Sequence, residues 1–351
     1  MAPLLLSTLT SSSRGQQPLL LVQSSTAQSC LPVVQYVVRQ ADSNPIAGSI
    51  LLFCLLYAPS AFVKDTPENV RVFDWTHNVP GYAEDALDVK EEMLRTVRDA
   101  PPGPLTAVID SVDTLLSDLG SLARTERFLS ELLSAIRARP SPSRLVLHVV
   151  APSRIIPALM HTRLSPILLH IIAHPTALIL HLATAYLTMP PPLSPPEKFW
   201  SVFLPIAERH YESEKLVFGP GGEGSGGREF VVEVLVRGAD GPGRRRGVER
   251  VLEGWSGIPA CGSPCELSQL ESLKGLWTRK VVEESGPDPT KNLSFNLNLT
   301  IEQQQSRAQV PLPYAHEGKQ ARTSAAPAAI LYDPDSADDI DDDDPDEDLD
   351  I

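Results

Sequence analysis

The sequence predicts an α/β protein built on a mostly parallel sheet with helices on both faces. Three observations lead there: short, continuous apolar runs recur along the chain, amphipathic stretches separate them, and proline or glycine marks many of the joins. A strand buried on both faces needs apolar residues at every position, so it reads as a run and not as an alternation.

The runs are LLLV (Leu19 to Val22), ILLFCLLY (Ile50 to Tyr57), VRVFDW (Val70 to Trp75), LTAVID (Leu105 to Asp110), LVLHVV (Leu145 to Val150) and ALILHLAT (Ala177 to Thr184), and each is expected to be a strand. Between them, LPVVQYVV after Cys30 and the charged stretch from Ala83 to Asp99 supply helices. From Thr114 to Arg139, Leu115, Leu119, Leu122, Phe128, Leu129, Leu132, Leu133 and Ile136 recur at three and four, predicting a helix that lies on the sheet and stops at Pro140 and Pro142. PPPLSPP is a stiff connector to a further apolar–polar stretch, KFWSVFLPIAER. REFVVEVLVRG reads as one more strand. The helix-like VERVLEGW after it makes either an edge hairpin or a strand–turn–helix. Flexible loops are expected at about 219–227 and 238–247, within an α/β domain over 1–282.

Composition supports a folded body. The chain has 351 residues, 42% hydrophobic and 21% charged, and its 33 prolines and 21 glycines fall short of the share that marks wholesale disorder. The net charge of −14 is carried by a tail: residues 333–351 hold twelve acids and no base, leaving 32 acids against 30 bases elsewhere. An acidic tail of this density is expected to be disordered, and it says nothing against nucleic-acid binding by a nearly neutral body. Four cysteines (Cys30, Cys54, Cys261 and Cys265) fit a reducing compartment without disulfides. The opening MAPLLLSTLTSSSRG lacks the charge of a secretory signal, so the sequons at Asn292 and Asn298 read as chance matches.

One stretch invites a membrane reading. Ser165 to Met189 has no Asp, Glu, Lys or Arg across about one bilayer's length. His170, His174, His181 and Pro175 argue against it, and a buried helix, a proline turn and a buried strand are the preferred reading. A membrane-anchored adaptor stays as an alternative.

The loop after Val22 is where a P-loop enzyme would cradle phosphate, and it reads QSSTAQSCL. With Ser24 on the first glycine of G-x-x-x-x-G-K-[ST], the later fixed positions fall on Ser29, Cys30 and Leu31, and none matches. Glycine freedom, the lysine charge and the magnesium-binding hydroxyl are all missing. Asp110, at the end of LTAVID, sits where a magnesium-positioning carboxylate would stand; capping of the helix near Asp113 is the preferred role. A divergent NTPase using Asp110 is the alternative. His170 and His174 stand four apart without the glutamate of H-E-x-x-H, so they read as buried, hydrogen-bonded histidines. Cys261 and Cys265 have the spacing of half a zinc site, but no second pair follows and they read as free thiols in a loop; no G-x-S-x-G occurs. No catalytic residue, cofactor or metal site is assigned.

Two interaction elements remain. Arg244, Arg245 and Arg246, with Arg250 one helical turn on, form the densest basic cluster and are candidates for RNA-backbone contact. In NLSFNLNLTIEQQQSRAQVPLPY (Asn292 to Tyr314), Leu293, Phe295, Leu297 and Leu299 share one face if extended, a candidate partner-docking strand within a segment over 283–332.

The stretches RVFDW, AVIDSVDTLL, SPPEKFWSVFLPIAER, GVERVLEGW, CELSQLESLKGLW, NLSFNLNLTIEQQQSRAQVPLPY and ILYDPDSADDIDDDDPDEDLDI resemble the Elongator complex subunit five family over most of the chain. The resemblance implies a RecA-like fold without working Walker motifs. It also implies a six-membered ring with Elongator subunits four and six, two copies each. Such rings bind transfer RNA and assist the subunits that modify the wobble uridine at C5. A cytoplasmic and nuclear location and no catalytic residue of its own are implied as well.

Overall fold

The computed structural model describes residues 17–43, 48–63, 67–82, 88–222, 224, 227–238, 248–257 and 262–278. The chain divides into a unit over Met1–Gly286 and a second over Pro287–Ile351, and every described residue lies in the first. Leu293, Phe295, Leu297, Leu299, Arg244, Arg245, Arg246 and Cys261 therefore lie outside the described residues.

The described residues contain one nine-stranded sheet in the order β3-β2-β4-β5-β1-β6-β7-β8-β9. The strands are β1 (Leu19–Ser25), β2 (Ser49–Cys54), β3 (Val70–Asp74), β4 (Leu105–Ile109), β5 (Arg144–Ala151), β6 (Leu168–Pro175), β7 (Phe230–Arg237), β8 (Val248–Ser256) and β9 (Ser263–Cys265). Pairings from β3 across to β6 are parallel, and those from β6 to β9 are antiparallel. The helices are α1 (Leu31–Ser43), α2 (Val89–Asp99), α3 (Val112–Leu119), α4 (Leu122–Arg137), α5 (Ile156–Met160), α6 (Thr176–Ala185), α7 (Pro196–Ala207) and α8 (His210–Phe218). This is the mostly parallel α/β sheet with flanking helices that the apolar runs predict.

Alternation along each strand divides the core between the two faces. Leu20 and Val22 of β1, Leu52 and Cys54 of β2 and Ile171 of β6 pack with Val33, Val34 and Val37 of α1. Leu19 and Leu21 point the other way, into a core shared with Met93 of α2, Leu115 of α3 and Phe128, Leu132 and Ile136 of α4. On the antiparallel side, Val231 of β7 meets α6 and α7 through Leu178, Leu182, Phe199 and Phe203.

Four expectations are corrected. The segment read as helix, turn and strand is the reverse: residues 168–175 form β6 and 176–185 form α6. Leu169 to Ile172 are paired on both sides, to β1 and β7, and that pairing satisfies the backbone of a run buried on both faces. ALILHLAT is rich in Ala and Leu, which favour helix, and extended Pro175 needs no N–H where the helix begins. Of the two readings of VERVLEGW the hairpin holds and the helix does not: it is strand β8, paired antiparallel with β7 from Phe230↔Trp255 to Arg237↔Val248, so pairing overrides helix propensity there. The single helix over 114–139 is two, because Gly120 adopts φ 63° and Ser121 is extended. Finally, the cap of α3 is Ser111, whose hydroxyl accepts the Thr114 N–H, and not Asp110.

No helix among the described residues is long and apolar enough to cross a membrane, and the run from Ser165 to Met189 is occupied by β6 and the ten-residue α6.

Candidate functional site

In an open parallel sheet, ligands bind outside the carboxyl ends of the strands. Here β1 is flanked by β5 and β6, and the loop from Ser24 to Cys30 leads into α1 at that edge. A phosphate-binding loop needs backbone N–H groups that point outward without partners. This stretch spends four of them internally. Cys30 N–H donates to Ser24 Oγ at 2.8 Å, Gln28 N–H to Ser25 Oγ at 3.1 Å, and Leu31 N–H to Ser29 Oγ at 3.3 Å. Ser25 N–H bonds to Gln28 C=O at 2.9 Å. Pro32, second in α1, removes a further donor from the helix N-terminus. The Thr26 hydroxyl bonds the carboxylate of Glu214, tying the loop to α8.

The chain of bonds continues across the sheet. His148 Nδ1 lies 2.6 Å from the Asp110 carbonyl oxygen, which can only accept, so Nδ1 carries the proton. Nε2 then accepts from Ser24 Oγ at 2.7 Å. His148 is fully buried, and burial lowers its pKa, with the Asp110 carbonyl and the Asp113 charge opposing. The imidazole stays neutral, as both bonds require. Asp110 has no exposed surface; its carboxylate accepts the N–H groups of Leu55 at 2.7 Å, Leu56 at 2.9 Å and Tyr57 at 2.7 Å, in the turn after β2. Burial raises its pKa against these donors. Asp113 accepts the Val150 N–H at 2.9 Å and the Ser153 hydroxyl.

A continuous polar path thus runs from the α1 N-terminus through Ser24, His148 and Asp110 to the turn after β2, across the ends of β1, β5, β4 and β2. These groups lie at the carboxyl edge of the parallel strands, where ligands of open sheets bind, and here they bind one another. A serine beside a neutral histidine could in principle act as a nucleophile, but Ser24 is only 4% exposed and its oxygen already accepts a backbone N–H.

A second polar cluster lies between the two apolar cores on the opposite face. His170 Nε2 is 3.0 Å from Gln23 Oε1, and His174 Nε2 is 2.9 Å from Glu233 Oε2. Arg250 Nε lies 3.3 Å from Glu233 Oε1, with its guanidinium 5.7 Å from the Trp200 ring centre. Burial would raise the Glu233 carboxyl, but the His174 bond and the His174, Arg250 and His170 charges pull it below the usual range. Arg250 thus sits in strand β8, not in a helix, and in an ion pair with a buried carboxylate. The two histidines are buried and hydrogen-bonded, on one face of a strand. Among the described residues no group of three or more His, Cys, Asp or Glu side chains could hold a metal ion. Burial pushes the Cys54 thiol up to about 12 and that of Cys265 to about 11, and the Cys30 thiol higher still, so none is a ready thiolate.

Sequence reasoning passed over His148, Gln23 and Glu233. The signal was present in each case, as one polar residue inside an otherwise apolar strand: LVLHVV, LLLVQ and VVEVLV.

Comparison with known proteins gives a family and a distant likeness of fold. No curated protein matches the chain. Among solved structures it is similar to the KaiC-like protein PH0186 from Pyrococcus horikoshii OT3, at 10% identity and TM-score 0.37, covering 71% of this chain and 89% of that one. It is also similar to a second solved structure, an ATPase domain, at 10% identity and TM-score 0.35, covering 72% of this chain and 85% of that one. The family model described as Elongator subunit Iki1 matches residues 5–333, nearly the whole sequence. The chain belongs to the Elongator subunit Iki1 family.

Proposed function

We propose that this chain is a noncatalytic, RecA-like structural subunit of the Elongator complex. It joins subunits four and six, two copies of each, in a ring that binds transfer RNA and supports C5 modification of the wobble uridine. The observation that carries the noncatalytic part is the closed polar path from Ser24 to Asp110. Opening this corner to a triphosphate would break bonds already made to Cys30, His148 and three consecutive N–H groups. Family membership supports the Elongator part. Partner contact is assigned to the strand-like Leu293, Phe295, Leu297 and Leu299, and RNA contact to Arg244, Arg245 and Arg246. Arg250 groups with them by position in the sequence, but its Nε–Glu233 pair favours an internal role. The location is cytoplasmic and nuclear in this reading, with no membrane partner.

The test is coexpression with subunits four and six, followed by mass measurement of the intact assembly. A six-membered complex with two copies of this chain is expected; a chain that stays monomeric in the presence of both would overturn the proposal.

A further inference from the structure

The two edges of the sheet differ in how they are guarded. An edge strand presents a row of backbone N–H and C=O groups to any chain that can pair with it, and proteins blunt such edges with short strands, proline or charge. Strand β9 is blunted in this way: it is three residues long, with Pro264 at its centre. Strand β3, at the other edge, has five residues and no proline. Both of its charges are engaged within the chain. The Arg71 guanidinium lies 5.4 Å from the centre of the Phe73 ring. The Asp74 carboxylate accepts the Thr76 N–H at 3.1 Å and the Thr76 hydroxyl at 2.7 Å.

The register fixes which groups this edge offers. Asn69 C=O accepts from the Ile50 N–H and Trp75 N–H donates to Cys54 C=O, so residues 69, 71, 73 and 75 bond to β2. Val70, Val72 and Asp74 then direct their backbone groups away from the sheet. The Val70 N–H turns back to Pro67 C=O, which leaves the N–H and C=O of Val72 and Asp74 and the C=O of Val70. No strand among the described residues pairs with them.

We infer that this edge takes the same edge of a second copy of the chain, antiparallel across a two-fold axis at Val72, so that the two sheets join. That register sets Val72 against the partner's Val72 and Asp74 against the partner's Val70. The Val72 and Asp74 N–H groups of each copy then donate across the axis, and the one N–H the ladder lacks, that of Val70, is already used. Arg71 comes opposite the partner's Phe73 in a closely spaced, non-hydrogen-bonded pair, a cation beside the kind of ring it already covers in its own chain. Charge selects this register. Centred on Asp74, the pairing would set two carboxylates against each other; centred on Val70, it would leave Arg71 to Asp74 beyond the partner's strand. An isologous pairing of this kind closes as a dimer, and the blunted β9 edge does not extend it. The inference concerns the chain by itself and does not rest on the Elongator reading.

Sedimentation of the purified full chain over a concentration series is expected to show a dimer, at twice the 38.2 kDa of one chain, in reversible exchange with the monomer. Hydrogen exchange at residue resolution, at both ends of the series, should protect the Val72 and Asp74 amides in the dimer and leave them open in the monomer. Val72→Pro spares the β2 ladder, because the Val72 N–H takes no part in it, and should weaken the dimer at least about a hundredfold through the two bonds it removes. If that variant does not fold, exchange in the unaltered chain decides alone. A chain that stays monomeric into the high-micromolar range, a dimer whose Val72 amide exchanges freely, or a dimer that Val72→Pro leaves intact overturns the inference. Protection of these amides only when subunits four and six are bound would overturn it too, by giving the edge to another protein's strand.

Discussion

Asp110 is held by opposing demands. Three backbone N–H groups want an ionised carboxylate, while complete burial favours the neutral acid, and burial prevails enough to raise the pKa. Asp110→Asn keeps one acceptor oxygen but turns an amide donor towards N–H groups it cannot satisfy. It should destabilise the fold by about 1–3 kcal/mol, read from the denaturant midpoint. An unchanged midpoint would mean that the turn after β2 does not depend on this carboxylate. His170 gives a pH dependence of known sign. Burial lowers its folded pKa from the ordinary 6.5 to about 4, with Glu233 opposing and Arg250, His174 and Arg237 reinforcing. The unfolded chain therefore binds a proton in that window and the folded one does not, so stability present above about pH 6.5 is lost as pH falls towards about 4. His170→Phe should flatten this part of the stability profile. A limb of unchanged slope would assign the acid sensitivity to other groups.

At the level of elements, the boundary between α3 and α4 rests on one residue. Gly120 takes φ 63°, and its N–H bonds back to Leu116 and Ser117. A Cβ there would touch nothing within 4 Å, so the cost of Gly120→Ala is conformational alone, about 1–2 kcal/mol, and Gly120→Asn should cost less. Thermal melts of the two variants check the order. This boundary was legible in the letters Gly-Ser, a stop followed by a start, but the leucine periodicity runs across it and hides the change of axis. Strands β1 to β5 were plain because a parallel strand buried on both faces leaves an unbroken apolar run. The order of β6 and α6 was not, because an apolar run of eight fits either element until its neighbours are known: β6 is a strand because β1 and β7 pair with it. VERVLEGW is a strand for the same reason, with β7 as its partner. The candidate site was half legible. The absence of the G-x-x-x-x-G-K-[ST] letters could be read from QSSTAQSCL, yet the bonds at this corner join residues as far apart as Ser24 and His148, which no local pattern brings together.

At the scale of the whole molecule, the sheet is stabilised from both faces, while its carboxyl-end corner is closed by internal bonds. In the proposed noncatalytic role such a body contributes surfaces, and the regions proposed to carry them are Arg244 to Arg246 and the segment around Phe295. Changing Phe295 and Leu297 together to Asp should weaken assembly with subunits four and six, by at most about 1.5–3 kcal/mol per side chain, without lowering the melting temperature of the isolated chain. Equal assembly by pull-down would remove this segment from the interface. Replacing Arg244, Arg245 and Arg246 should weaken transfer-RNA binding by the ring and reduce its salt slope by about 0.7 per arginine. An unaltered slope would place the contact elsewhere. The proposed noncatalytic role depends most on the corner between Ser24 and Asp110 having no room for a triphosphate. Titration of the purified chain with ATP and magnesium in a calorimeter tests this directly. No binding into the millimolar range is predicted, whereas magnesium-dependent binding that is lost in Asp110→Ala would contradict it.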